Sequence, residues 1–255
     1  NGYILAAADY IGNGISGNAP QAYGVKEATQ QTTFDMITAS KAVLGELGVS
    51  TGPLFLNGWS QGGLNTQWLS EKLQSENVEI ERQAIVSGPT NLAETCNYWF
   101  NDYPGDPNWL TAVVPILLGA WQKYYGIKNL LSEAIRPEYL EVSKQIYRKE
   151  IDWDNKDIYI DAEKNGTGLL GLPRKPEDMI QRDFITDFNN GVGAFYNRAV
   201  KNTALTIEYN EESRFYGGGE DTIVPEFISI QAPVDYQESL GSNLATGISV
   251  GATAD

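Results

Sequence analysis

The sequence predicts an α/β fold built on a parallel sheet, and three observations predict it. Short apolar runs alternate with stretches striped at helical spacing, the pattern of strands that return to one sheet through helical crossovers. The apolar runs gather in residues 1–94 and 202–255, while a helix-rich stretch fills 95–201. At the second run, Gly58-Trp59-Ser60-Gln61-Gly62 sets a serine between glycines where a strand gives way to a helix.

Residues 3–8, Tyr-Ile-Leu-Ala-Ala-Ala, read as a buried strand already in progress, ended by the turn-rich Asp9-Tyr10-Ile11-Gly12-Asn13-Gly14. Residues 26–47 carry Ala28, Phe34, Ile37, Ala39, Ala42, Val43 and Leu47 on near-helical spacing, with Gly48 as the stop. The apolar run at 53–58 barely alternates, which predicts a second strand buried on both faces. Leu64, Trp68, Leu69 and Leu73 stripe the helix after it, and residues 83–88 form a third strand closed by Gly88-Pro89. Residues 213–217 and 244–250 supply the fourth and fifth strands.

Helical segments are predicted at 109–125, 130–148 and 176–200, with loops around 104–107 and 165–173. A strand–helix–strand step needs only ~30 residues. Residues 95–201 therefore read as an insertion, a helical cap over the active edge of the sheet. Most of its aromatics (Trp99, Phe100, Trp109, Trp121, Tyr124, Tyr125) are expected in the cap's own core, and the remainder could line a substrate pocket.

The Gly58–Gly62 spacing fits G-x-S-x-G, in which a strand turns sharply into a helix with the serine at a strained apex. Crowding at such a turn predicts that side chains at 58 and 62 would collide, so glycine stands at both. The apex lifts the Ser60 hydroxyl above the sheet. The backbone N–H of Gln61 then falls at a helix N-terminus, where free amides favour developing negative charge.

Lys and Arg number 18 against 33 Asp and Glu, for a net charge of −15 spread along the chain. Phosphate binding needs clustered cations, so nucleic acid and anionic membrane are excluded as partners. The longest apolar runs fall short of the ~18 residues of a membrane helix. Cys96 is the one cysteine and histidine is absent, which leaves no disulfide and no usual zinc ligand set. No metal and no cofactor is expected.

The elbow, the turn Ala8-Asp9-Tyr10-Ile11-Gly12, the ending Ser87-Gly88-Pro89 and the stretch Gly219-Glu220-Asp221-Thr222-Ile223-Val224-Pro225 occur in this order. Together they resemble the α/β-hydrolase superfamily, most of all its secreted lipase and esterase branch. The resemblance implies a partial parallel sheet flanked by helices, with 1–94 and 202–255 as core and 95–201 as cap or lid. It implies a serine hydrolase acting on small-molecule or lipid carboxylic esters through an acyl-enzyme. Ser60 matches the nucleophile, Asp221 the acid that orients a histidine, and Gln61 an oxyanion-hole amide, with Gly58, Trp59 and Gly62 completing the elbow. Glu220 is the fallback acid, and Asp9 matches a structural turn residue. An Asp before Thr also suits plain loop capping, so Asp221 carries that second reading.

Two departures bear on activity. The family histidine follows the last strand, whereas this sequence ends at Asp255, and the second oxyanion donor belongs to a strand earlier than residue 3. The expectation is a piece of a longer product, secreted or periplasmic, that as it stands hydrolyses esters poorly. A serine peptidase on the same fold and a non-catalytic binding protein that keeps the pocket are the alternatives.

Overall fold

The computed structural model describes residues 2–152 and 155–251. In chain order its helices are α1 (Lys26–Glu46), α2 (Gln61–Ser75), α3 (Leu92–Asn101), α4 (Leu110–Tyr124), α5 (Leu130–Ala134), α6 (Pro137–Tyr147), α7 (Lys156–Asn165), α8 (Pro176–Met179), α9 (Arg182–Asn189), α10 (Ala194–Lys201) and α11 (Ala232–Ser239). The strands are β1 (Phe55–Trp59), β2 (Arg82–Val86), β3 (Glu212–Gly218) and β4 (Ala245–Val250). All run parallel, in the order β1-β2-β3-β4. The described residues divide into two compact units, one of 2–19, 26–90 and 204–251, the other of 20–25 and 91–203.

In the first unit the register fixes which side chains share a face. Leu56 lies level with Gln83 and Ser213, and Gly58 with Ile85 and Phe215. This face is buried, and α2 covers it with Trp68 and Leu73, both wholly shielded from solvent. Ile37 of α1 joins Leu56, Leu69, Leu73 and Ile80 in one apolar cluster, and Lys26 Nζ meets Glu71 at 2.6 Å.

The other face is bare. Phe55 and Trp59 are 42% and 61% exposed, beside an exposed Arg82–Glu212 pair at 2.9 Å. The expectation that 53–58 is buried on both faces is therefore corrected: the helices lie on one side.

The expected strand at 3–8 is corrected as well, and the sheet has four strands among the described residues. Tyr3, Ile4 and Leu5 are exposed, and residues 3–8 take no part in the sheet. An apolar sequence makes a strand only where a neighbour satisfies its backbone. Tyr3 does meet Phe55 edge-on, with ring centroids 5.9 Å apart.

The second unit is helical. Residues 110–121 of α4 are all buried, and the Gly119 backbone leaves room for the ring of Tyr147 on α6. Trp121 Nε1 and Asn202 Nδ2 both donate to Gly24 O, at 2.9 and 3.0 Å, which secures residues 20–25 to this unit. Phe100, Phe188 and Phe195 pack ring on ring, and Phe195 also meets Trp121. Of the six aromatics expected mostly in the core, Trp99, Phe100 and Trp121 are buried, and Trp109, Tyr124 and Tyr125 are half-buried.

Residues 130–148 are two helices where one was expected. Pro137 disfavours a helical Arg136, whose φ −60° and ψ 142° are extended, and Ile135 instead bridges to Ile180. The same bridge and the positive φ of Gly191 and Gly193 split 176–200 into three helices. No helix among the described residues is long and apolar enough to cross a membrane.

Candidate active site

Ser60 is the residue between β1 and α2, with φ 53° and ψ −120°. That backbone conformation is costly for a serine and persists where the surroundings enforce it. Here they do. Its N–H donates to Val86 O at 2.8 Å, as though β1 continued one residue further, while its own carbonyl accepts from Gly63 and Leu64 at 2.9 and 3.2 Å. One residue thus ends a strand and starts a helix.

The two elbow glycines differ. A Cβ at Gly58 would stand 2.1 Å from Gly62 O and 2.5 Å from Thr66 Oγ1. A Cβ at Gly62 would meet nothing within 4 Å, so the expectation of crowding at both positions is corrected. The second close approach is at Gly63, where a Cβ would lie 2.9 Å from Gly88 Cα and 3.0 Å from Val86 O. The first turn of α2 packs on the end of β2 there, and the sequence signal was the glycine pair. Trp59 ends β1 with its side chain on the exposed face. Gln61 is the first helical residue, so its N–H belongs to the turn that has no intrahelical acceptors.

Asp221 lies three residues past β3, half-buried in the loop expected for it. Its N–H donates to Gly218 O, and its Oδ1 accepts from the N–H groups of Ile223 and Val224 at 2.9 and 3.0 Å. The capping role is therefore real. It uses one carboxylate oxygen, fixes the plane of the group, and leaves Oδ2 for a further donor. Glu220 is exposed. Asp9 packs against Gly14, where a Cβ would strike its carboxylate.

Trp59, Val86 and Tyr216 are in register, so β1 and β2 end level while β3 runs on to Gly218. Ser60 follows the first and the Asp221 loop the third, which puts both on the C-terminal edge of the parallel sheet. With ~4.8 Å between strands, Trp59 and Tyr216 stand ~10 Å apart, and Ser87, just past β2, follows the strand between them. Ser87 is buried at φ 44°, and its Oγ has no hydrogen-bond partner. Glu226, just past Pro225, also buries an unpartnered Oε1. Glu226 was not singled out from the sequence, because a glutamate after Val-Pro looks like an ordinary loop residue, and Ser87 entered only as part of the Ser87-Gly88-Pro89 ending. Asp255, the last residue of the sequence, lies outside the described residues.

The arrangement supplies a strained serine over a helix N-terminus and a carboxylate held by two amides. The 255 residues contain no histidine.

No family model and no curated protein matches the sequence. Solved structures do share its fold. A candidate hydrolase of Legionella pneumophila superposes with TM-score 0.84 at 20% identity, over all of this chain and 65% of its own. The rice cell wall degrading esterase LipA of Xanthomonas oryzae gives 0.76 at 20% identity, over 96% of this chain and 63% of its own. Candida antarctica lipase A gives 0.60 at 12% identity, over 90% and 51%. The chain thus spans one half to two thirds of the length of these structures.

Proposed function

We propose that this chain, whose fold is that of α/β-hydrolases, carries the nucleophile and the acid of a serine esterase. One observation carries the reading: Ser60 is held in a strained strand-to-helix turn on the same sheet edge as the two-amide carboxylate of Asp221. Ser60 Oγ attacks an ester carbonyl while an imidazole from outside these residues takes its proton. Asp221 Oδ2 accepts the other imidazole N–H and stabilises the cation that forms. The Gln61 N–H donates to the oxyanion. The alcohol departs, and water hydrolyses the acyl-serine by the same steps in reverse roles. The fold shared with an esterase and a lipase supports ester chemistry in general and leaves chain length open.

The test compares the 255-residue chain with the polypeptide extended to its natural ends, using a short-chain nitrophenyl ester. The short form should show no more than the ~10³–10⁴-fold acceleration that survives loss of a triad member. The extended form should turn over, and Ser60→Ala should abolish that turnover. Turnover of the extended form that survives Ser60→Ala overturns the reading.

A further inference from the structure

Ser87 carries two costs that a glycine in the same place would not. Its backbone is left-handed at φ 44°, a conformation that a Cβ disfavours and glycine adopts freely. The residue is 2% exposed, yet its Oγ has no hydrogen-bond partner among the described residues. A buried hydroxyl left unbonded weakens the folded state. Strain of this kind gathers at residues that are held for their chemistry.

Its place in the sheet identifies the chemistry. The Ser60 N–H donates to Val86 O at 2.8 Å and the Ser87 N–H to Tyr216 O at 2.7 Å, so the parallel ladder runs one residue past the ends of β1 and β2. Ser87 therefore stands beside Ser60, one strand spacing of ~4.8 Å away, on the side from which β3 brings the Asp221 loop. Residues 86–88 are also wedged against the first turn of α2. A Cβ at Gly88 would lie 3.1 Å from Gly63 C and 3.2 Å from Leu64 N. Ser87 is thus fixed next to the nucleophile.

With Ser60 as nucleophile and Asp221 as acid, the proposed function on which this inference rests, the base stands between the two. The water that frees the acyl group from Ser60 is activated by that base, so it approaches from the side of Ser87. We infer that Ser87 Oγ holds this water. A side chain so buried can meet a water but not the bulk of an ester. One water O–H donates to the base and the other to Ser87 Oγ, which turns an oxygen lone pair towards the acyl carbon. The water oxygen bonds to that carbon as the base takes the proton. The tetrahedral carbon then expels Ser60 Oγ, which receives the proton back, and the carboxylic acid leaves. Acylation consumes no water and makes no use of Ser87.

The test is stopped-flow hydrolysis of a short-chain nitrophenyl ester by the polypeptide extended to its natural ends. The initial burst of nitrophenolate reads acylation of Ser60, and the steady rate after it reads release of the acyl group. Ser87→Ala and Ser87→Gly should keep the burst rate and slow the steady rate by ~10–100-fold, the loss that a misplaced reactant brings. KM should fall by the same factor and leave kcat/KM unchanged. A residue that only shaped the elbow would slow both phases together, and that outcome overturns the inference, as do two unchanged rates. Ser87→Gly should also raise the urea midpoint, because it removes both costs. A lowered midpoint would mean that the hydroxyl is bonded within the fold, and it overturns the inference equally. Nitrophenolate release that survives Ser60→Ala removes the nucleophile itself, and this inference with it.

Discussion

At Gly58 the difference between hydrogen and methyl is decisive. A Cβ there would sit 2.1 Å from a backbone carbonyl of the next helix, and no side-chain rotation relieves that contact. Gly58→Ala should therefore cost ~1–3 kcal/mol, as overpacking does in a close-packed interior. Gly62 occupies open space two residues into α2. Gly62→Ala should be neutral or should stabilise by up to ~1 kcal/mol, the helix propensity gained. Urea unfolding of the two variants checks the pair, and equal losses would show that the elbow is crowded on both sides after all. Asp221 carries the same lesson. Loop capping and service to an imidazole use different oxygens of one carboxylate, so the structural reading does not exclude the functional one.

Single elements start and stop for local reasons. Asn91 begins α3 in extended conformation, accepts from Glu94 N with its side chain, and donates Nδ2 to Glu94 Oε2. This reciprocal cap settles an otherwise free amide of the first turn. Asn91→Ala should lower stability by ~0.5–2 kcal/mol, and Asn91→Ser by less, since serine caps nearly as well. Thermal unfolding followed by circular dichroism measures both, and two equal losses would show that the side chain packs instead of capping. The broken helices at 130–148 and 176–200 belong to the same scale. Pro137 was in plain view, but the tie between Ile135 and Ile180 joins residues 45 apart in sequence, and periodicity cannot report it.

Across the first unit, the sheet is tied to its covering helix by a buried carboxylate. Glu211 Oε1 accepts from Ser70 Oγ at 2.8 Å and Gln83 Nε2 at 2.9 Å, and Oε2 accepts from Asn210 N at 3.1 Å. Among the described residues no cation pairs with it, and burial raises its pKa from the ordinary 4.5 despite these hydrogen bonds. The folded state therefore holds this proton more tightly than the unfolded chain. The contribution to stability is full below 4.5 and is lost as pH rises through the folded-state value, because the carboxylate must then ionise out of water. Urea unfolding of the chain and of Glu211→Gln, compared from about pH 4 to about pH 8, should show the unsubstituted chain losing stability relative to the variant. A constant difference over that range would mean that Glu211 ionises in the folded state as easily as in water.

The sequence alone determined what depends on neighbours along the chain. The alternation of strand and helix, the elbow around Ser60, the stop after α1 and the Asp221 turn all rest on local sterics and periodicity, and each stands where it was read. The tertiary structure decided what depends on neighbours across space. Residues 3–8 have the composition of a strand but no partner beside them. The apolar run at 53–58 has helices on one face only, and the crowded glycine of α2 is Gly63, because β2 ends against it. Glu226 drew no notice as a letter in a sequence, and Ser87 drew it only as part of a strand ending. Each acquires meaning only through burial without a hydrogen-bond partner, and that property does not exist until the chain is folded.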